Sequence, residues 1–168
     1  MSQPFVVILM GSDSDLPTME AAFEILKKFN IPFEAKISSA HRTPEATHTY
    51  VKDADQRGCV AFIAAAGMAA HLAGAVAANT LKPVIGVPID SSLDGLDALL
   101  STVQMPAGIP VAGVAIGKAG AKNAAYLAAQ IIGVSNPVVA EALRAERKAN
   151  ADAVIAKDKA LQEKLRQG

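Results

Sequence analysis

The chain is 168 residues long, and its sixteen basic and sixteen acidic side chains cancel at neutral pH. That length suits about one domain, burying roughly two thirds of the surface the unfolded chain exposes. Balanced charge supplies no field to hold a polyanion or an anionic membrane, so neither nucleic acid nor membrane is an expected partner. The one cysteine, Cys59, can form neither an internal disulfide nor a thiolate metal cage, which points to a reducing, cytoplasmic setting.

The opening stretch MSQPFVVILMGSDSD has no basic leader and an apolar run of only about six residues, so it does not read as a signal peptide. Phe5 to Met10 is a continuous β-branched run and predicts a strand buried on both faces. GSDSD ends it, and Ser14 or Asp15 is placed to cap a helix from about Leu16. Met19, Phe23, Leu26 and Phe29 form its stripe until Asn30 to Pro32 stop it.

The pattern recurs along the chain. Phe33, Ala35 and Ile37 alternate as a second strand over 33–38; Thr43 and Pro44 read as N-cap and first turn of a helix, with Gly58 past its end. Val60 to Ala65 predicts a third strand, followed by AGMAAHLAG and a small-residue helix to about Asn79. Cys59 to Ala78 is apolar enough to raise a spanning helix, but its Ala/Gly composition, central His71 and lack of basic flanks argue against one. Val84 to Val87 predicts a fourth strand, with PIDSSLDG leading to a helix over 96–103. Val111 to Ile116 predicts a fifth, with GKAG leading to a helix over 121–132. Strands alternating with helices at this interval predict a three-layer α/β/α domain on a parallel sheet of about five strands, with right-handed crossovers.

Asn136 and Pro137 open a last helix, to about residue 166, with mixed charges and a sparse stripe of Val139, Leu143, Val154, Leu161 and Leu165. One small domain cannot bury so long a stripe, so this helix is expected to pack on another subunit, with a kink near Asn150. The expected organisation is a single domain over 1–168, divided into a core over 3–134 and this helix over 136–166.

In such a sheet the loops after the strands' carboxyl ends gather on one edge, where ligands bind. GSDSD, SSAHRTP and AGMAAHLAG therefore converge. Ser12 and Ser14, with free N–H groups of a helix start, suit an anion, whereas Asp15 would reject phosphate but suits sugar hydroxyls. His41 and Arg42 read either as an exposed loop pair or as a site in which Arg42 clamps phosphate while its charge and the helix dipole oppose protonation of His41, as a proton-transfer base needs. His48 falls on the polar side of a helix and reads as a surface residue; Cys59 reads as a core thiol. Three separated histidines without ligand spacing give no zinc signature, so no metal is expected. A receiver-type phosphoacceptor would need an aspartate where the third strand reads FIAAAG, although Lys118 would suit one. A flavin site would place aromatics in the edge loops, which have none.

GSDSD, SAHRTP, AGMAAHLAG, GVPI and VQMPAGIPVAGVAIGKAGAKNAAYLAAQI together closely resemble the class I 5-(carboxyamino)imidazole ribonucleotide mutases of bacterial purine biosynthesis, in matching order from about Val6 to Ile132. The resemblance implies a flavodoxin-like fold and a cofactor-free isomerase that moves a carboxylate from the exocyclic nitrogen of a ribonucleotide substrate to the adjacent ring carbon. It implies His41 as the proton shuttle, Ser12, Ser14 and Arg42 on phosphate and Asp15 on ribose. Ser39, Ala66, Gly67 and His71 would surround the base and carboxylate, and Ala40 and Leu72 would also contact the substrate. It also implies a homo-oligomer, an octamer with shared sites, and a separate ATP-dependent synthetase that supplies the substrate. Arg42, where the carbon-dioxide-using class carries lysine, points to the mutase class. The alternative is a non-enzymatic phosphate- or nucleotide-binding module on the same fold. The usual third loop reads Gly-Ala-Gly-Gly-Ala-Ala-His-Leu-Pro-Gly; here Ala65 and Met68 replace glycines and Ala73 the proline, so a narrower pocket or an altered backbone path is expected there.

Overall fold

A computed structural model describes residues 4–167; the outer limits of the expected domain, 1 and 168, and the expected start of its core at residue 3 lie outside these. Five parallel strands pair in the order β2-β1-β3-β4-β5: β1 Phe5–Met10, β2 Phe33–Ile37, β3 Cys59–Gly67, β4 Val84–Ile89 and β5 Ala112–Gly113. The helices are α1 Leu16–Lys28, α2 Pro44–Gln56, α3 Leu72–Ala77, α4 Leu96–Val103, α5 Gly117–Gly133 and α6 Pro137–Arg166.

The periodicity of two in a strand sorts the core into two layers. Val6, Ile8 and Met10 of β1 face α1 and α5, with Met19, Leu26, Ala125 and Ala129 against them. Val7 and Leu9 face the opposite side, against Val51 of α2 and Leu72 and Val76 of α3. A strand covered on both faces needs no polar alternation, which is why FVVILM is continuous. Helix α4 joins the α2–α3 layer, where the glycine of GVPI makes room: a Cβ on Gly86 would run into the Thr102 methyl, with Val111 and Ala73 close by.

The termini of α1 follow its sequence. Asn30 adopts φ 52, Ile31 N–H bonds the Leu26 carbonyl and Asn30 N–H that of Lys27, a Schellman end that turns the chain into β2. At the other end the cap is Ser12, acting on a 3-10 turn over Asp13–Asp15 that leads into α1. Neither Ser14 nor Asp15 caps α1 itself: Asp15 occupies the cap position without a side-chain bond to the helix.

β3 and β4 run longer than the expected 60–65 and 84–87, and three other elements depart from expectation in span or shape. β5, at one edge of the sheet, pairs over two residues only, Ala112 with Ile85 and Gly113 with Gly86. α5 begins at Gly117, so GKAG is its first turn; a Cβ on Gly120 would collide with the Ala115 carbonyl, and only glycine lets the helix start against that loop. α6 runs continuously through Asn150, where a kink was expected. Val139 is buried and Leu143 packs on the α1–α5 layer. Glu146 accepts from Lys28 Nζ of α1 at 2.8 Å and from the Tyr126 hydroxyl of α5. Every described residue from Arg147 onward is exposed.

The Cys59–Ala78 stretch is a strand, a loop and a six-residue helix, and no helix among the described residues is long and apolar enough to cross a membrane. Cys59 is a buried free thiol, pushed up to about 11 by burial. His48 is exposed, its Nδ1 2.6 Å from Asn79 Oδ1.

Candidate active site

The strand order reverses between β1 and β3, and loops leaving the carboxyl ends of four strands enclose a cavity of about 510 Å³ there. The loop after β1 brings Gly11, Ser12, Ser14 and Asp15, that after β2 brings Ser39, His41 and Arg42, and that after β3 brings Gly67, Met68 and Ala69. The end of β4 adds Ile89, Asp90 and Ser91.

The first loop is a compact capping box. Asp15 Oδ2 accepts from Ser12 N–H at 3.0 Å, while Ser12 Oγ accepts from Ser14 N–H at 3.3 Å and from Ser14 Oγ at 2.9 Å and itself donates to Asp13 Oδ1 at 3.0 Å. Asp15 is only 5% exposed. Burial raises its carboxyl above the ordinary 3.8, and the Asp13 charge adds to this; bonds from the Ser12 and Gly11 backbone oppose it in part.

The second loop is held by its own hydroxyls. Thr43 Oγ1 donates to the Ser39 carbonyl at 3.0 Å and accepts from Ser39 N–H at 3.1 Å, Ser39 Oγ accepts from Arg42 N–H at 3.1 Å, and the buried Ser38 and Thr47 hydroxyls meet at 2.6 Å. With Ser38 N–H also bonded to the Met10 carbonyl at 2.8 Å, the turn carrying His41 and Arg42 is anchored to β1 and α2. Both side chains are exposed, and Arg42 has no ion pair among the described residues. Its charge is therefore uncommitted.

His41 Nε2 lies 2.7 Å from Nδ1 of His71, with the rings edge-to-face at 82° and centroids 4.9 Å apart. One of those two nitrogens carries no proton, since two N–H groups cannot hydrogen-bond to each other. No group of three or more metal-ligating side chains gathers among the described residues.

Of the eleven residues singled out in the sequence, seven line the cavity: Ser12, Ser14, Asp15, Ser39, His41, Arg42 and Gly67. His71 meets it through His41 and lines a separate groove. The side chains of Ala40, Ala66 and Leu72 pack on the α2–α3 core instead, Leu72 at 2% exposure, because the chain turns into α3 with that face inward. Ala65 and Ala73 are buried in the two core layers, so of the three departures in the third loop Met68 alone lines the cavity. Met68 takes φ 54, a left-handed conformation costly for a residue with a side chain. Ile89, Asp90 and Ser91 were not anticipated, although the rule that gathers loops at one edge applies equally to PIDSSLDG.

The AIR carboxylase family model matches residues 5–153. The N5-carboxyaminoimidazole ribonucleotide mutase of Pyrococcus horikoshii is 54% identical over 162 residues, 96% of this chain and 90% of the relative. That of Bacillus subtilis is 51% identical over 154 residues, 91% of this chain and 95% of the relative. A crystal structure of Treponema denticola PurE, 34% identical, superposes with a TM-score of 0.87 over 95% of this chain and 99% of its own. With the family model matching residues 5–153 and relatives 51–54% identical over more than nine-tenths of its length, the chain belongs to the AIR carboxylase family.

Proposed function

We propose that this protein is an isomerase of purine biosynthesis that converts 5-carboxyamino-1-(5-phosphoribosyl)imidazole into 5-amino-1-(5-phosphoribosyl)imidazole-4-carboxylate. The observation that carries it is a topological-switch cavity in which His41 and Arg42 face the hydroxyl loop of Ser12 and Ser14, in a chain 54% identical to a mutase of that name. A non-enzymatic nucleotide-binding module is not favoured.

The uncommitted Arg42 guanidinium supplies the charge for the substrate phosphate. The Ser12 and Ser14 hydroxyls, turned toward each other and Asp13, swing outward to complete its cradle. Asp15, held in place by the Ser12 amide, accepts from the ribose hydroxyls. This leaves the base near His41, with Ser39, Gly67 and the backbone of the third loop about it. Breaking the N–carboxylate bond leaves its electron pair on nitrogen and releases carbon dioxide; the ring carbon forms a new bond to that carbon and gives up its proton to His41. The imidazolium returns a proton to the exocyclic nitrogen. No atom or electron is gained or lost, so an unprotonated imidazole is the one chemical group the step demands. A separate ATP-dependent synthetase would make the carbamate. The reading extends to an octamer, supported by the exposed apolar stripe of α6, and to the cytoplasm, supported by the lone buried thiol.

The test is to supply the carbamate ribonucleotide, labelled with carbon-13 in its carboxylate, without bicarbonate or ATP. The labelled 4-carboxy product is expected. Recovery of only unlabelled product or free decarboxylated ribonucleotide would overturn the assignment.

A further inference from the structure

We propose that His71 is a positioning residue that fixes the tautomer of His41 through its Nδ1, rather than serving chiefly as a substrate contact. The inference rests on the mutase reading, which requires His41 to act as a base.

The geometry assigns the roles of three of the four ring nitrogens. The 2.7 Å contact consumes Nε2 of His41. The nitrogen left to meet substrate is Nδ1, and to remove a proton from carbon it must be unprotonated. Neutral imidazole carries one proton, which then sits on Nε2 and is donated to Nδ1 of His71. When His41 takes up the substrate proton, the same bond becomes charge-assisted and steadies the imidazolium. His71 is set up to hold this position: its N–H bonds the Ala69 carbonyl at 2.8 Å and its carbonyl accepts from Ala75 N–H at 2.9 Å, so the backbone is committed at the start of α3 and the ring projects from it.

The surroundings leave the pair to govern itself. On the cavity side the titratable and charged neighbours are Asp15 of the first loop, Arg42 of the second and Asp90 after β4. On the far side His71 lines a groove of about 450 Å³ between α3 and α4 with Leu100, Ser101, Gln104 and Met105, none of them ionisable. No carboxylate among these residues bonds either ring, so each imidazole is the other's partner.

The test uses three variants of the full chain. Asparagine places its amide oxygen near the position of Nδ1, glutamine reaches to that of Nε2, and phenylalanine keeps the ring without an acceptor. His71→Phe is expected to lower kcat about ten- to a hundred-fold, the range for losing a hydrogen bond to a charged group, with KM nearly unchanged. His71→Asn retains most of kcat, and His71→Gln behaves like the phenylalanine variant. Ring nitrogen-15 shifts of His41 in the substrate-free protein report the Nε2–H tautomer for the wild type and His71→Asn, and a mixture for His71→Phe. Equal losses in all three variants, a loss confined to KM, or an unchanged His41 tautomer in His71→Phe would overturn the proposal. Absence of turnover by the wild type would instead remove the mutase reading, while the nitrogen-15 measurement still decides the tautomer.

Discussion

At the residue scale the most exposed commitment is His41. It is the one histidine lining the cavity among the described residues, its side chain is exposed, and its loop is held by Ser39 and Thr43 rather than by the ring. His41→Asn is therefore expected to fold normally and still bind the ribonucleotide while turnover falls by about 10²- to 10⁴-fold, the span attributed to a positioned proton-transfer group. Circular dichroism, substrate titration and single-turnover assay check the three parts, and near-normal turnover would sink the assignment. Polar residues betray themselves at this scale when they follow an apolar strand and precede a cap, as Ser12, Ser14, Asp15, His41 and Arg42 do. Leu72 and Ala66 carry no such mark; their side chains turn into the core, and they were legible only through a resemblance that speaks of chain positions, not of where side chains point. Asp90 and Ser91 were missed for the converse reason. IDSS reads as an ordinary approach to a helix, and only the sheet order brings it opposite the first loop.

At the scale of elements, two contacts fix how the layers meet. Gly86 lies in β4 where α4 crosses, and an added Cβ meets the Thr102 methyl. Gly86→Ala is expected to destabilise by about 1–3 kcal/mol through overpacking. Combining it with Thr102→Ser, which removes that methyl and keeps the hydroxyl bond to the Ala98 carbonyl, should cost less than the sum of the single changes. Urea unfolding of the four proteins measures the coupling, and strict additivity would refute the contact. The second contact ties β2 to α2. Glu34 accepts from Arg57 at 2.5 and 2.8 Å and from the Tyr50 hydroxyl at 2.6 Å, and these bonds, Arg57 foremost, hold its carboxyl down to about 2 from 4.5. A depressed folded value means the stabilisation is complete above 4.5 and is lost as pH falls toward about 2. Glu34→Gln should thus have the lower melting temperature at neutral pH, by a small margin because Glu34 and Arg57 are each 40% exposed. The gap should close on acidification through that window, and a gap that persists at its acid end would exclude this origin. Elements buried on both faces, such as β1, were legible because burial forbids polar residues. β5 and the start of α5 were not, since small and apolar residues run through VAGVAIGKAG from the edge strand across the loop into the first helical turn, with Lys118 the one charge among them.

At the scale of the whole molecule the last helix is the element left uncovered, and it is expected to set the state of assembly. Its first turns belong to this chain: Val139 is buried, and the Glu146 carboxylate, though burial alone would raise it, is lowered by its bonds to Lys28 and Tyr126. Beyond Glu146 the helix runs about 30 Å further, at 1.5 Å per residue, with every described residue exposed. Along that span Val154, Ile155, Leu161 and Leu165 are 65%, 66%, 51% and 66% exposed, an apolar stripe in which Val154, Leu161 and Leu165 share one face and Ile155 flanks it. On the edge strand β2, Ile37 is likewise 53% exposed. Charged i,i+4 pairs such as Lys148–Asp152 stabilise an exposed helix by only tenths of a kcal/mol each, too little to hold some twenty unsupported residues. Those residues are therefore expected to be covered by other copies of the chain. Light scattering on the full protein should give a multiple of 17.3 kDa, eight-fold on the proposal above. Ending the chain after Arg147 should lower that multiple and the melting temperature together, and should make the melting temperature of the full protein, but not of the shortened one, rise with concentration. A full-length chain that scatters as a monomer, or a shortened chain that keeps the larger mass, would show that the stripe is not what joins the subunits.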